Sequence, residues 1–211
     1  MILRVLFYGD SNTWGYRPGG GRLPPNRRYT TMVTRQALNV LPLVDGLNGR
    51  CSAWESPVFP KELLGGATLA PALQAHGPLN GLVIMLGTND VMPPLNLPAA
   101  AICANLLRMI TTARALCGQD LNILLVSPPP MAECALQDLV QDYGADREVL
   151  CQDLAAPMER LARKAGTFFL NGGSILAAMD ARDGYHMAEV GHLRLGLAIG
   201  QLLRSLDWRQ S

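Results

Sequence analysis

Five short apolar runs, spaced by longer helix-like stretches, constrain this chain more than any other feature. They lie near residues 2–8, 41–46, 82–87, 121–127 and 166–171. Runs such as Leu82-Val83-Ile84-Met85-Leu86 show no polar alternation, as expected of strands buried on both faces. Helices are predicted near 29–40, 62–75, 98–117, 145–165 and 189–206. Strands alternating with helices imply a parallel sheet covered on both sides. No repeat or linker divides the sequence, so a single domain spanning 1–211 is expected. A chain of 211 residues buries roughly 70 % of its unfolded surface on folding.

Two stretches interrupt the pattern. Arg17 to Arg28 holds Pro18, Gly19, Gly20, Gly21, Pro24 and Pro25 and is expected to be irregular. Ser127-Pro128-Pro129-Pro130 ends the fourth strand abruptly. In an open parallel sheet, the loops after the strand C-termini form the ligand crevice. Three polar strings fall in such loops: Gly9-Asp10-Ser11-Asn12-Thr13-Trp14-Gly15, Gly87-Thr88-Asn89-Asp90 and Asp183-Gly184-Tyr185-His186.

Their side chains are those of serine acyl transfer. Ser11 opens a helix after the first strand, where backbone N–H groups point outward and a hydroxyl is exposed; a plain N-cap serine is the competing reading. Asp183, three positions before His186, can hold Nδ1–H and leave Nε2 free to accept the serine proton. Asn89 can aim its amide at a developing oxyanion, and the N–H groups of Ser11 and Gly46 are candidates for the same hole. Glu189-x-x-His192 is a second acid–imidazole pair, ranked lower because it opens the last helix. Asp10, Trp14 and Trp54 are candidate substrate-binding residues, the tryptophans because binding sites are largely apolar. His76, before Gly77-Pro78, reads as a surface loop residue.

Phe7-Tyr8-Gly9-Asp10-Ser11-Asn12-Thr13-Trp14-Gly15 resembles the first block of the SGNH (GDSL-type) hydrolases. Gly46, Gly87-Thr88-Asn89-Asp90 and Asp183-x-x-His186 are similar to the later blocks, in the family's order. The wording of these strings, with Val126-Ser127-Pro128-Pro129-Pro130, is similar to the arylesterase and perhydrolase-like acyltransferase branch. Asn48 departs from that branch, which usually has a serine there. The resemblance implies a flavodoxin-like three-layer α/β/α sandwich on a five-stranded parallel sheet. It also implies acyl-enzyme chemistry on short acyl esters, transfer to acceptors other than water, and a homo-oligomer. A carbohydrate O-deacetylase or lysophospholipase is the alternative within the family. A flavodoxin-like cofactor-binding protein is the alternative outside it, since a polar turn at a helix N-terminus can hold a phosphate; a non-catalytic interaction module is a third.

Composition excludes other classes. With 18 basic and 17 acidic residues, the chain has no electrostatic footprint for nucleic acid or an anionic membrane. No apolar run is read as approaching the ~20 residues of a membrane span, and no secretory signal is read at Met1. The five cysteines, odd in number and without a Cys-x-x-Cys pair, suit reduced thiols and a cytoplasmic location. Neither Gly19-Gly20-Gly21 nor the histidine spacing fits a phosphate loop or metal site, so no cofactor is expected.

Overall fold

A computed structural model describes residues 1–175 and 179–206. The sheet comprises β1 (Leu3–Gly9), β2 (Val40–Gly46), β3 (Gly81–Met85), β4 (Asn122–Ser127) and β5 (Phe168–Asn171). All neighbours run parallel in the order β2-β1-β3-β4-β5, the flavodoxin-like arrangement, whose ligand crevice opens where β1 and β3 diverge. Each predicted strand is present.

The central strands explain why those runs are apolar throughout. Leu6, Tyr8, Leu82, Ile84, Ile123 and Leu125 enter one core, while Val5, Phe7, Val83, Met85, Leu124 and Val126 enter the other. Successive residues face opposite sides, so a sheet buried on both faces needs an apolar residue at every position. The first core is closed by α3 (Gly65–His76), α5 (Ala99–Cys117), α6 (Glu133–Tyr143) and α8 (Ala155–Ala165). The second is closed by α2 (Tyr29–Met32) and α9 (Glu189–Ser205). Two further helices, α1 (Ser11–Trp14) and α4 (Thr88–Val91), begin at the ends of β1 and β3.

The helices depart from expectation in four places. The predicted 145–165 helix is α7 (Arg147–Leu150) followed by α8. Pro157 lacks the N–H a continuous helix would need there, and it sits instead in the first turn of α8, where none is required. The 29–40 segment is α2 and one 3-10 turn, Val33–Arg35. A 3-10 turn at Pro25–Arg27 gives the Gly/Pro loop some regularity. The sequence reading missed α6, although Leu136, Leu139 and Val140 carry a helical spacing and Gly144 caps it at φ +61°.

One expectation on length also fails: α5 is 19 residues long and apolar enough to cross a membrane by length and composition. Its Ile102, Leu106, Met109, Ile110 and Ala113 are buried in the first core. All five cysteines are free thiols.

Candidate active site

Ser11 is the first residue of α1 and Asp10 is its N-cap, accepting the Asn12 N–H at 2.9 Å. The first N–H groups of a helix have no partner within it, so the Ser11 N–H is left to groups outside α1. Gly15 closes the helix after one turn at φ +88°, a left-handed position suited to glycine. His186 Nε2 lies 2.8 Å from Ser11 Oγ, and His186 Nδ1 lies 2.7 Å from Asp183 Oδ2. Asp183 Oδ1 also accepts the N–H groups of Tyr185 at 3.3 Å and His186 at 3.1 Å. The carboxylate is thus tied to the backbone it serves. The tautomer with its proton on Nδ1 donates to Asp183 Oδ2 and leaves Nε2 to accept from the serine hydroxyl.

Two aromatic rings neighbour the imidazole, Tyr16 at 4.4 Å and Tyr185 at 4.6 Å between centroids. Burial pushes its pKa below the ordinary histidine value, while the Asp183 carboxylate pulls it back upward. A base held largely out of water and neutral near pH 7 suits proton abstraction.

The loops after β2 and β3 complete the site. Asn89 donates from Nδ2 to the Arg50 carbonyl at 3.0 Å, and its amide retains a second N–H. Arg50, 5 % exposed, donates to Gly9 O at 3.1 Å and pairs with Asp45 at 2.7 Å. Its guanidinium lies 4.1 Å from the centre of the Tyr8 ring, so the loop is pinned to the ends of β1 and β2. Leu47–Arg50 is a turn closed by the Arg50 N–H on Leu47 O at 3.1 Å, with Gly49 at φ +81°. Positive φ at the third position makes it a type II turn, which turns the Gly49 N–H out of the turn plane.

Gly46 does not take the place expected of it. Leu47 N–H donates to Gly9 O at 3.1 Å, and residues alternate sides along a strand. The Gly46 N–H therefore points away from β1, toward the open edge of the sheet. A Cβ at Gly46 would lie 2.2 Å from the Trp14 nitrogen; its glycine is needed for close packing on α1. The backbone beside Asn89 belongs to the Leu47–Arg50 turn instead.

Of the three candidate substrate-binding residues, Asp10 differs from expectation. Asp10 is 1 % exposed and serves as a cap, beyond the reach of a ligand. Burial, reinforced by the nearby Asp90, raises its pKa to about 7. Asp90 is itself raised to about 6 by burial, and accepts the Ser52 N–H and hydroxyl. Trp54 donates from Nε1 to Asn105 O at 3.3 Å, and Arg108 covers its ring at 4.2 Å. It anchors the segment before α3 to α5. Trp14, half-buried, carries the Arg22 guanidinium 4.8 Å from its ring and neighbours Tyr16 at 6.4 Å.

Of the other histidines, His192 is fully buried, accepts the Tyr29 N–H at Nδ1, 3.3 Å away, and has its pKa lowered to about 4 by burial. Glu189 is engaged by Arg27. His76 ends α3, not a loop, with Asp45 at 3.8 Å. Among the described residues no three His, Cys, Asp or Glu side chains converge in a metal-binding group.

Asn12 was not singled out by the sequence reading. Its Oδ1 accepts the Met187 N–H at 2.8 Å and its Nδ2 donates to Tyr185 O at 3.1 Å. The Tyr16 ring on the imidazole was missed as well. A cavity of about 470 Å³ opens at the same sheet edge, lined by Thr88, Val91, Pro128, Met131, Leu136 and Leu154 among others. Thr88 reaches its wall, one residue from Asn89.

A family model described as GDSL-like lipase/acylhydrolase matches residues 7–194. No curated protein sequence matches significantly. Among solved structures, the chain is similar to an aryl esterase from M. smegmatis, with 28 % identity and a TM-score of 0.83 over 97 % of this chain and 100 % of that one. It is similar to a carbohydrate acetylesterase family member from Sinorhizobium meliloti, with 28 % identity and a TM-score of 0.85 over 97 % and 100 % of the chains. A lipase/acylhydrolase from Enterococcus faecalis shares the fold at 20 % identity, with a TM-score of 0.70 over 100 % of both chains.

Proposed function

The chain belongs to the GDSL-like lipase/acylhydrolase family, and from that premise we propose that it is a serine esterase acting on short-chain acyl esters through a Ser11-His186-Asp183 triad. The observation that carries this reading is the continuous hydrogen-bonded chain Ser11 Oγ, His186 Nε2, His186 Nδ1 and Asp183 Oδ2, with links of 2.8 Å and 2.7 Å. His186 takes the hydroxyl proton as Ser11 Oγ attacks the ester carbonyl carbon. The negative charge on the tetrahedral oxygen is met by the Ser11 N–H, the free N–H of Asn89 and a backbone N–H of the Leu47–Arg50 turn. His186 then gives its proton to the leaving alcohol oxygen, and the acyl group remains on Ser11. Water or another hydroxyl, deprotonated by His186, releases the acid or a new ester and restores the serine. Asp183 stabilises the imidazolium formed twice in the cycle.

Both aryl esters and acetylated sugars are candidate substrates, because proteins described by each name share this fold over nearly the whole chain. The two differ in leaving group, not in mechanism. Hydrolysis of p-nitrophenyl esters from acetate to octanoate, beside phenyl acetate and a peracetylated sugar, tests the reading with wild type and Ser11→Ala compared. The expected result is hydrolysis that falls beyond butyrate and drops by about 10⁴-fold or more in the variant. Equal rates in the two proteins would reject the proposal.

A further inference from the structure

We propose that Asn12 is a positioning residue that holds His186 in register with Ser11 by clasping the backbone on both sides of the imidazole. The proposal rests on the esterase reading of Ser11 and His186. Asn12 directly follows Ser11 and is 2 % exposed. Its carbonyl oxygen accepts from Met187 N at 2.8 Å, and its amide nitrogen donates to Tyr185 O at 3.1 Å. Those two peptide groups bracket His186. The Asn12 backbone is itself fixed by the Asp10 cap at 2.9 Å.

Among the described residues, the backbone–backbone hydrogen bonds of the loop run within it or to the start of α6. Asp180 N–H donates to His186 O at 2.7 Å, Gly184 N–H to Asp180 O at 2.8 Å, and Ala132 N–H to Gly184 O at 2.7 Å. These shape the loop but do not set its distance from α1. Asn12 does, because one rigid amide joined to the nucleophile's own helix grips the backbone of the base. The side chain required must both donate and accept at one length, which an amide does and a carboxylate or alkyl group does not. Losing both bonds lets the loop move relative to α1 and opens the Ser11–His186 contact, and a misplacement of about 1 Å can cost about 100-fold in rate.

Asn12→Leu and Asn12→Ala, measured beside wild type and Ser11→Ala, provide the test. The readouts are kcat and KM on p-nitrophenyl acetate, the labelling rate of Ser11 by a fluorophosphonate, and the low-field proton resonance of the His186–Asp183 bond. We expect kcat and labelling rate to fall together by about 10- to 100-fold, KM to change little, and the proton resonance to broaden or vanish. Asn12→Leu keeps the buried volume filled, so it decides the matter if the alanine variant unfolds. A folded variant with wild-type kcat and an unchanged resonance would overturn the proposal, as would a loss confined to KM or melting temperature. Wild-type protein that neither hydrolyses ester nor labels at Ser11 would instead sink the esterase reading. In that event the resonance still tests the clasp, because its exchange with solvent rises when the loop lifts from α1, with no turnover needed.

Discussion

The Arg50 carbonyl accepts a hydrogen bond from Asn89 Nδ2 at 3.0 Å, which joins the loop after β2 to the loop after β3. The bond occupies one N–H of the amide and orients the other, so the side chain is set before any ester arrives. Preorganised donors of this kind do not have to reorient during the reaction, which is the source of their catalytic value.

Asn89→Ala is therefore expected to lower kcat by about 10²- to 10³-fold with little change in KM. Steady-state kinetics on p-nitrophenyl acetate checks it. A rise in KM at constant kcat would instead assign Asn89 to ground-state binding.

Asp183→Asn should leave the protein folded while reducing kcat by about 10⁴-fold. The amide can donate to Nδ1 and so stabilise the wrong tautomer, placing the proton on Nε2 where the serine hydroxyl needs an acceptor. A crystal structure with the ring in place and a rate close to wild type would contradict this account.

The pH profile follows from the direction in which His186 is displaced. In the proposed mechanism the neutral imidazole is the base, and burial lowers its pKa below 6.5. Activity is retained as pH falls toward that value and is lost only as pH passes below the depressed pKa. A plot of kcat/KM against pH should place its acid limb below the ordinary histidine range. In a folded Asp183→Asn protein the limb should move lower still, because the carboxylate that favours the imidazolium is gone.

Asp10 offers a stability test with the opposite sign. Its carboxyl titrates at 3.8 when unfolded and at about 7 when folded, so between these values the native state binds more protons. The wild type thus loses stability as pH rises from about 4 to 7, by roughly 1.4 kcal/mol for each pH unit crossed. Asn is an equally good helix cap and does not titrate. Urea denaturation should show Asp10→Asn gaining on wild type by a few kcal/mol between about pH 5 and 8. Parallel pH profiles for the two proteins would show that Asp10 ionises normally.

Gly46→Ala places a methyl where the Trp14 nitrogen lies 2.2 Å away. Overpacking against backbone should cost about 1–3 kcal/mol and displace α1, with Ser11 on it. Melting temperature and kcat should fall together. An unaltered protein would mean that α1 yields freely at this contact.

The strands were legible because Leu6, Tyr8, Val5 and Phe7, like their counterparts on β3 and β4, are apolar on both sides of the sheet. The crevice residues Ser11, Asn89 and His186 were legible because their residue types suit one chemistry and strand ends bring them together. What escaped depends on information no local window contains. The direction of the Gly46 N–H follows from a ladder partner, Gly9, that lies on another strand. The role of Asn12 follows from peptide groups 173 and 175 residues away. The separation of α7 from α8 was readable at Pro157, but the apolar spacing on either side concealed it. Asp10 illustrates the reverse: it stood as a candidate for ligand binding, while the α1 backbone beside it in space engages it as a buried cap.

The contact between Ser11 and His186 spans 175 positions of sequence. During synthesis the N-terminal part of a chain emerges first, so Ser11 and all five strands precede His186 out of the ribosome. Until the Asp183–Met187 segment docks, Ser11 is an ordinary alcohol with no group to take its proton. On the proposed mechanism, hydrolytic power thus depends on a segment that emerges only after every strand of the sheet, and a chain folded as far as β5 still lacks it.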